Sequence, residues 1–171
     1  MKYALTGHTK GIGKAIYDVL GPANCKGFSK SQGYDIEDPF YRQQICKQAD
    51  KCTVFINNAH SGWGQVELLI ELLWQWHDKH KLIINIGSQA AHVILPTTHQ
   101  YLLQYAAEKA ALKNVVDNSQ DYTCSVEYLA WGYVGTDRIL NKYPDLVKYK
   151  KVNDCVLEVK TLVQNWNTKD A

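Results

Sequence analysis

Tyr105 and Lys109 stand four residues apart in Tyr105-Ala106-Ala107-Glu108-Lys109. On a helix that spacing puts both on one face. A phenol beside a positive charge ionises more readily than its ordinary pKa of about 10 implies. It then donates a proton to a carbonyl oxygen, or accepts one from an alcohol, near neutral pH. An arbitrary Tyr-x-x-x-Lys is only a solvated helix face, so the surroundings decide. Ser88 follows the apolar run 82–87, which reads as a strand. It therefore sits at the carboxyl edge of a sheet, where open α/β sheets bind their ligands. Its hydroxyl is suited to hydrogen-bond the reacting oxygen; the bland alternative is a loop serine.

A second constellation lies near the start: Thr6-Gly7-His8-Thr9-Lys10-Gly11-Ile12-Gly13, between a strand and a helix. Glycines permit the tight turn and let backbone approach a pyrophosphate, while the helix N-terminus offers free N–H groups to the anion. A lone glycine triplet is weak, because any tight turn uses one. At the first turn of an alternating α/β chain it reads as a nucleotide site through Gly7, Thr9, Lys10, Gly11, Ile12 and Gly13.

The elements that must position these groups follow from the pattern of short apolar runs alternating with helical periodicity. Strands are expected at 2–6, 24–28, 33–36, 52–56, 82–86 and 122–129. Helices are expected at 11–20, stopped by Gly21-Pro22, and from Pro39, placed at a first helical position after Asp38, to about Gln48. Two more should span 63–79 and 99–117. The last carries Val152, Cys155, Val156, Val159, Leu162, Val163 and Trp166 on one face.

The 171 residues suit a single domain, 1–171, with one core. With 46% hydrophobic and 21% charged residues and a net charge of +2, the composition is ordinary and offers no basic face for nucleic acid. Apolar runs are too short to span a membrane, and no signal core opens the chain. A cytoplasmic protein is expected, with its five cysteines as free thiols. No metal site is expected.

Together these residues resemble the short-chain dehydrogenase/reductase family. Thr6-Gly7 through Gly11-Ile12-Gly13 is similar to its cofactor turn, and Asn57-Asn58-Ala59 to its strand-end motif. Ile84-Asn85-Ile86-Gly87-Ser88 resembles its serine strand, and Tyr105 through Leu112 its catalytic helix. Gly132-Tyr133-Val134-Gly135-Thr136 resembles the segment that cradles the nicotinamide, where Val134 and Thr136 would contact it. The matches occur in the family's order over residues 6–136. The resemblance implies an α/β, Rossmann-like doubly wound parallel sheet of about six strands flanked by helices. It implies hydride transfer between a nicotinamide ring and a small-molecule carbonyl or alcohol. Tyr105 would be the acid/base, Ser88 would orient the carbonyl, and Lys109 would hold the ribose. Asn57, Asn58 and Ala59 would border the cofactor, and Asp35-Ile36 resembles the family's adenine-contacting pair.

The chain also departs from the family's pattern. Residues 29–35 leave too little room for a helix joining a second and a third strand, and the family's final strand is expected to be absent. Residues 60–84 contain no Asn where the family's catalytic asparagine belongs, with Gln65 as a stand-in. His60 stands where glycine is expected and Trp131 where proline is. His60 is open to two readings, a site-lining residue or a structural histidine. At the end of the second strand, Gly27-Phe28-Ser29-Lys30 has no acid to meet a ribose 2′-OH. Lys30 and Lys10 are there to pair with a phosphate, so Ser29 and Lys30 point to NADP (NADPH) over NAD.

The expectation is an NADPH-dependent reductase, with a non-catalytic NADP-binding sensor on the same fold as the alternative. Residues 89–100 and 137–151, including His92, His99, Tyr143 and Tyr149, are expected to form the substrate pocket. Helix 63–79 is apolar nearly all round, with Glu67, Glu71, Gln75 and Asp78 in one stripe. That excess suits a partner helix, so a homodimer is expected.

Overall fold

The computed structural model describes residues 1–92 and 99–168. Five parallel strands form one sheet: β1 (Tyr3–Thr6), β2 (Cys25–Phe28), β3 (Val54–Asn57), β4 (Leu82–Ile86) and β5 (Ser125–Leu129), in the order β2-β1-β3-β4-β5. β3 and β4 are buried at every position, as strands covered on both faces must be. The order reverses between β1 and β3, so a crevice opens past their carboxyl ends.

Among the described residues, five α-helices cover the two faces. α1 (Gly11–Leu20) and α6 (Val152–Thr168) lie on one side, where Ile16, Val156, Val159 and Val163 pack on Leu5, Val54, Ile56 and Ile84. α2 (Pro39–Ala49), α3 (Gly64–Trp76) and α4 (Gln100–Asp117) lie on the other, where Ile45, Leu68, Leu72, Trp76 and Leu112 pack on Ala4, Phe55, Ile83 and Val126. Successive strand residues thus feed opposite cores. α2 starts as its sequence demands: the Asp38 carboxylate accepts the Phe40 N–H at 2.9 Å, with Pro39 in the first turn. Among the described residues, no helix is long and apolar enough to cross a membrane.

Two expectations are corrected. The sheet has five strands, not six, because residues 33–36 form no strand. A short 3-10 helix, Lys30–Gln32, follows β2 directly, and the chain then turns into α2. A further parallel strand would need a crossover of roughly a dozen residues, and the few available cannot supply one. The segment after Thr136, expected as pocket loop, begins instead with a short helix, α5 (Asp137–Lys142).

The surroundings of α3 also differ from expectation. Its acidic stripe does not face water alone. The buried Arg42 of α2 reaches Glu67 at 2.9 Å and Glu71 at 2.8 Å, and donates to the carbonyls of Ile36 and Glu37. Leu68, Leu69, Leu72 and Leu73 are buried within the chain. The exposed apolar remainder of α3 is Ile70 and Trp74.

Candidate active site

The glycine turn sits at the switch point. Gly7 takes a φ of 74°, and a Cβ on Gly13 would stand 2.1 Å from the Gly7 carbonyl oxygen. α1 begins at Gly11, after Lys10 at the N-cap position, with no side-chain cap and no acid in its first turn. Its first N–H groups and positive dipole end therefore suit an anion. Thr136 lies beside this turn: a Cβ on Gly11 would meet its methyl at 3.5 Å. Ser31 bonds Thr9 at 3.4 Å and Ser29 at 3.1 Å, joining the turn to the end of β2. The residues present thus fit a dinucleotide.

Other expected contacts have structural partners. Asn58 ties β3 to β1, with its N–H on Thr6 Oγ1 at 3.0 Å and its side-chain amide on Thr6 O at 2.9 Å. The Ala59 N–H also reaches Thr6 Oγ1, at 2.9 Å. Lys30 pairs with Asp35 at 2.6 Å in an exposed bridge, which holds the Asp35 carboxyl below its ordinary range. Ile36, Val134 and Asn57 are buried.

The end of β4 and the helix α4 bring Ser88, Tyr105 and Lys109 together. Ser88 leaves β4 with its Oγ accepting the Ala90 N–H at 3.2 Å and its own N–H donating to the Tyr128 hydroxyl at 3.1 Å. Gly87 must lack a side chain, since a Cβ there would stand 2.0 Å from the Tyr128 ring. Tyr105 and Lys109 share a face of α4, the ammonium lying 5.6 Å from the phenol ring centre. Burial pushes the Tyr105 phenol up, with the Ser88 hydroxyl and the Arg138 charge acting the other way. The sequence suggested a lowered phenol; desolvation outweighs the neighbouring charges.

Lys109 is 3% exposed. Burial lowers its pKa to about 8, against the charge of Glu108. Its Nζ donates to Gln65 Oε1 at 2.6 Å and to the Ile86 carbonyl at 3.1 Å, which leaves one N–H for a ligand. Gln65 in turn donates to the carbonyls of Asn57 at 2.7 Å and Ile86 at 3.0 Å. Gln65 is thus a buried side-chain partner of the lysine.

Sequence reasoning passed over Glu108 and Arg138. Glu108 is buried on α4 between Tyr105 and Lys109, and bonds His60 at 2.7 Å. The signal was present: an acid three residues after the tyrosine is on the same face. Arg138, on α5, is felt electrostatically by both Tyr105 and His60. Trp131 has a definite role too. Its indole N–H donates to Glu158 of α6 at 2.6 Å, and Lys150 also bonds Glu158. With the Gly135 N–H on Lys150 O at 2.9 Å, this pins the segment that carries Val134 and Thr136. Of the expected pocket, residues 93–98 lie outside the described residues, while His92 and Tyr143 hold ring contacts with Tyr128 and Tyr133.

No sequence family matches the chain, and no curated protein does. Many solved structures match its fold. A 3-alpha-hydroxysteroid dehydrogenase from Pseudomonas sp. B-0831, complexed with NADH, is similar at 18% identity and a TM-score of 0.74, over 95% of this chain and 89% of that one. A short chain dehydrogenase from Burkholderia cenocepacia J2315 in complex with NADP is similar at 19% identity and a TM-score of 0.69, over 95% and 90%. A blue fluorescent protein from a metagenomic library, in complex with NADPH, gives 20% identity and a TM-score of 0.70, over 94% and 90%. The chain has the fold of the short-chain dehydrogenase/reductase structures.

Proposed function

We propose that the protein is a short-chain dehydrogenase/reductase that uses NADPH to reduce a small-molecule carbonyl, and that it works as a homodimer. The observation that carries this reading is the convergence of Ser88, Tyr105 and Lys109 beside an uncapped glycine-turn helix. The bound cofactor would supply the hydride. Ser88 holds the carbonyl oxygen, and Tyr105 gives it a proton as charge develops there. The free N–H of Lys109 binds the ribose, and the chain's fixed dipoles need no rearrangement during the step. Neighbours of the same fold are seen with NADH, NADP and NADPH.

The NADPH preference rests on the end of β2. Lys30 is mostly exposed, and its bridge to Asp35 is of the surface kind, weakened by solvent and salt. A ribose phosphate competes well with such a partner. Calorimetric titration should show NADPH binding more tightly than NADH, and Lys10→Ala with Lys30→Ala should erase the difference. Equal or tighter NADH binding rejects the preference. Oxidation of NADPH by one or more members of a carbonyl panel completes the test; binding without turnover returns the sensor alternative.

A further inference from the structure

One buried acid remains without a task in this scheme. Glu108 is 2% exposed, and both its oxygens are engaged: Oε1 by the Gln104 amide at 2.8 Å, Oε2 by His60 Nε2 at 2.7 Å. The imidazole it holds meets the Tyr105 ring edge-on, with centroids 4.9 Å apart and planes at 74°. The His60 side chain is 24% exposed, so it touches the reacting phenol's ring on one side and solvent on the other.

Tyr105 must recover a proton after each one it gives. Lys109 donates to Gln65, whose amide protons are committed to the carbonyls of Asn57 and Ile86. Gln65 is 1% exposed and its amide does not titrate, so this partner positions the lysine and supplies no proton of its own. His60 is an imidazole that both adjoins Tyr105 and reaches water.

We propose that His60, held in place by Glu108, returns protons from solvent to Tyr105. The proposal rests on the acid/base role given to Tyr105 above. In the reducing direction the Tyr105 O–H bond breaks and its proton goes to the substrate oxygen. An N–H bond of protonated His60 then breaks, the Tyr105 O–H bond re-forms, and neutral His60 takes a proton from water. Alcohol oxidation runs the same transfers backwards.

The groups around His60 fit such a role. Burial holds its pKa down, and Lys109 of α4 and Arg138 of α5 add to this, while the bond to Glu108 acts upward. The bond to Glu108 favours the protonated form that the transfer uses. Glu108→Gln retains a polar contact but removes the upward pull, so His60 should titrate at lower pH.

The decisive measurement follows the Tyr105 hydroxyl directly and needs no substrate. With tyrosine labelled at 13Cζ and NADP+ added, proton exchange with water is read from the isotope-shifted lines in an equal mixture of H2O and D2O. His60→Ala should slow this exchange on the order of 10²-fold, the low end of what a positioned acid–base group contributes. Added imidazole should restore it, which repacking alone does not explain. His60→Gln, a closer match in shape, should be slowed equally and serves if the alanine variant fails to fold. Unchanged exchange in either folded variant, or no rescue of His60→Ala by imidazole, overturns the proposal. With a carbonyl that the wild type reduces, the high-pH fall in kcat should move to lower pH in Glu108→Gln. If no carbonyl is reduced, the function proposed above fails while the exchange result still judges His60.

Discussion

Lys109 is the residue at which function and stability conflict most openly. An ammonium buried to this degree is held at a pKa of about 8 by desolvation, below its ordinary value of about 10.4. Below pH 8 both folded and unfolded chains carry the proton, and the folded state bears the full cost of the buried charge. Between pH 8 and 10.4 the unfolded chain binds more protons than the folded one, so this group's contribution makes stability rise with pH. Denaturant unfolding should show wild-type stability rising relative to that of Lys109→Met across that window, by at most about 1.4 kcal/mol per pH unit. A flat difference would mean that the lysine is hydrated. Tyr105→Phe isolates the opposite partner. It removes only a hydroxyl, so NADPH binding should survive while turnover falls by about 10²–10⁴-fold. Near-normal turnover in that variant would place the chemistry elsewhere.

The first turn is legible in the sequence because it depends on contacts local to one strand and one helix. Gly13 shows how tightly: its missing Cβ is what lets Gly7 O and Asn58 Nδ2 approach, at 2.1 Å and 2.6 Å from the position it would take. The first of these is backbone and has no rotamer to escape into. Gly13→Ala should therefore lower stability by about 1–3 kcal/mol, as overpacking does, and weaken NADPH binding together with it. A thermal melt and a calorimetric titration read both, and an unchanged melt would contradict the close approach. The helix carrying Tyr105 was legible for the same reason, since a spacing of four residues fixes a shared face in any helix. What the sequence concealed is long-range. His60 and Glu108 are 48 positions apart and meet only because β3 and α4 are brought to one edge. The strand expected at 33–36 failed because Tyr34 and Ile36 in alternation are not enough: a parallel partner also needs a crossover, and 29–36 has none. α5 went unseen because Thr136 makes no side-chain cap and six residues show no clear period.

For the whole molecule, the open question is what covers the outer helices. The sequence of α3 is apolar enough to suggest a partner on one full face, yet the sheet, α2 and α4 take Leu69, Leu72 and Leu73 into this chain's own core. Charges placed at those three positions would unfold the protein and report nothing about assembly. The surface left for a second copy is narrower. Trp74 is 80% exposed and Ile70 40%, and neighbouring α4 adds Tyr101, Leu102 and Leu103, all exposed. Large apolar groups grouped on adjoining helices are what a two-fold contact uses. Sedimentation equilibrium at micromolar concentration should give a dimer for the wild type and a monomer for Ile70→Glu with Trp74→Glu. These two side chains are exposed in the single chain, so the double variant should keep its melting temperature close to that of a dissociated wild type. A monomeric wild type rejects the dimer. A variant that stays dimeric moves the contact away from α3, and the exposed residues of α4 become the next positions to charge.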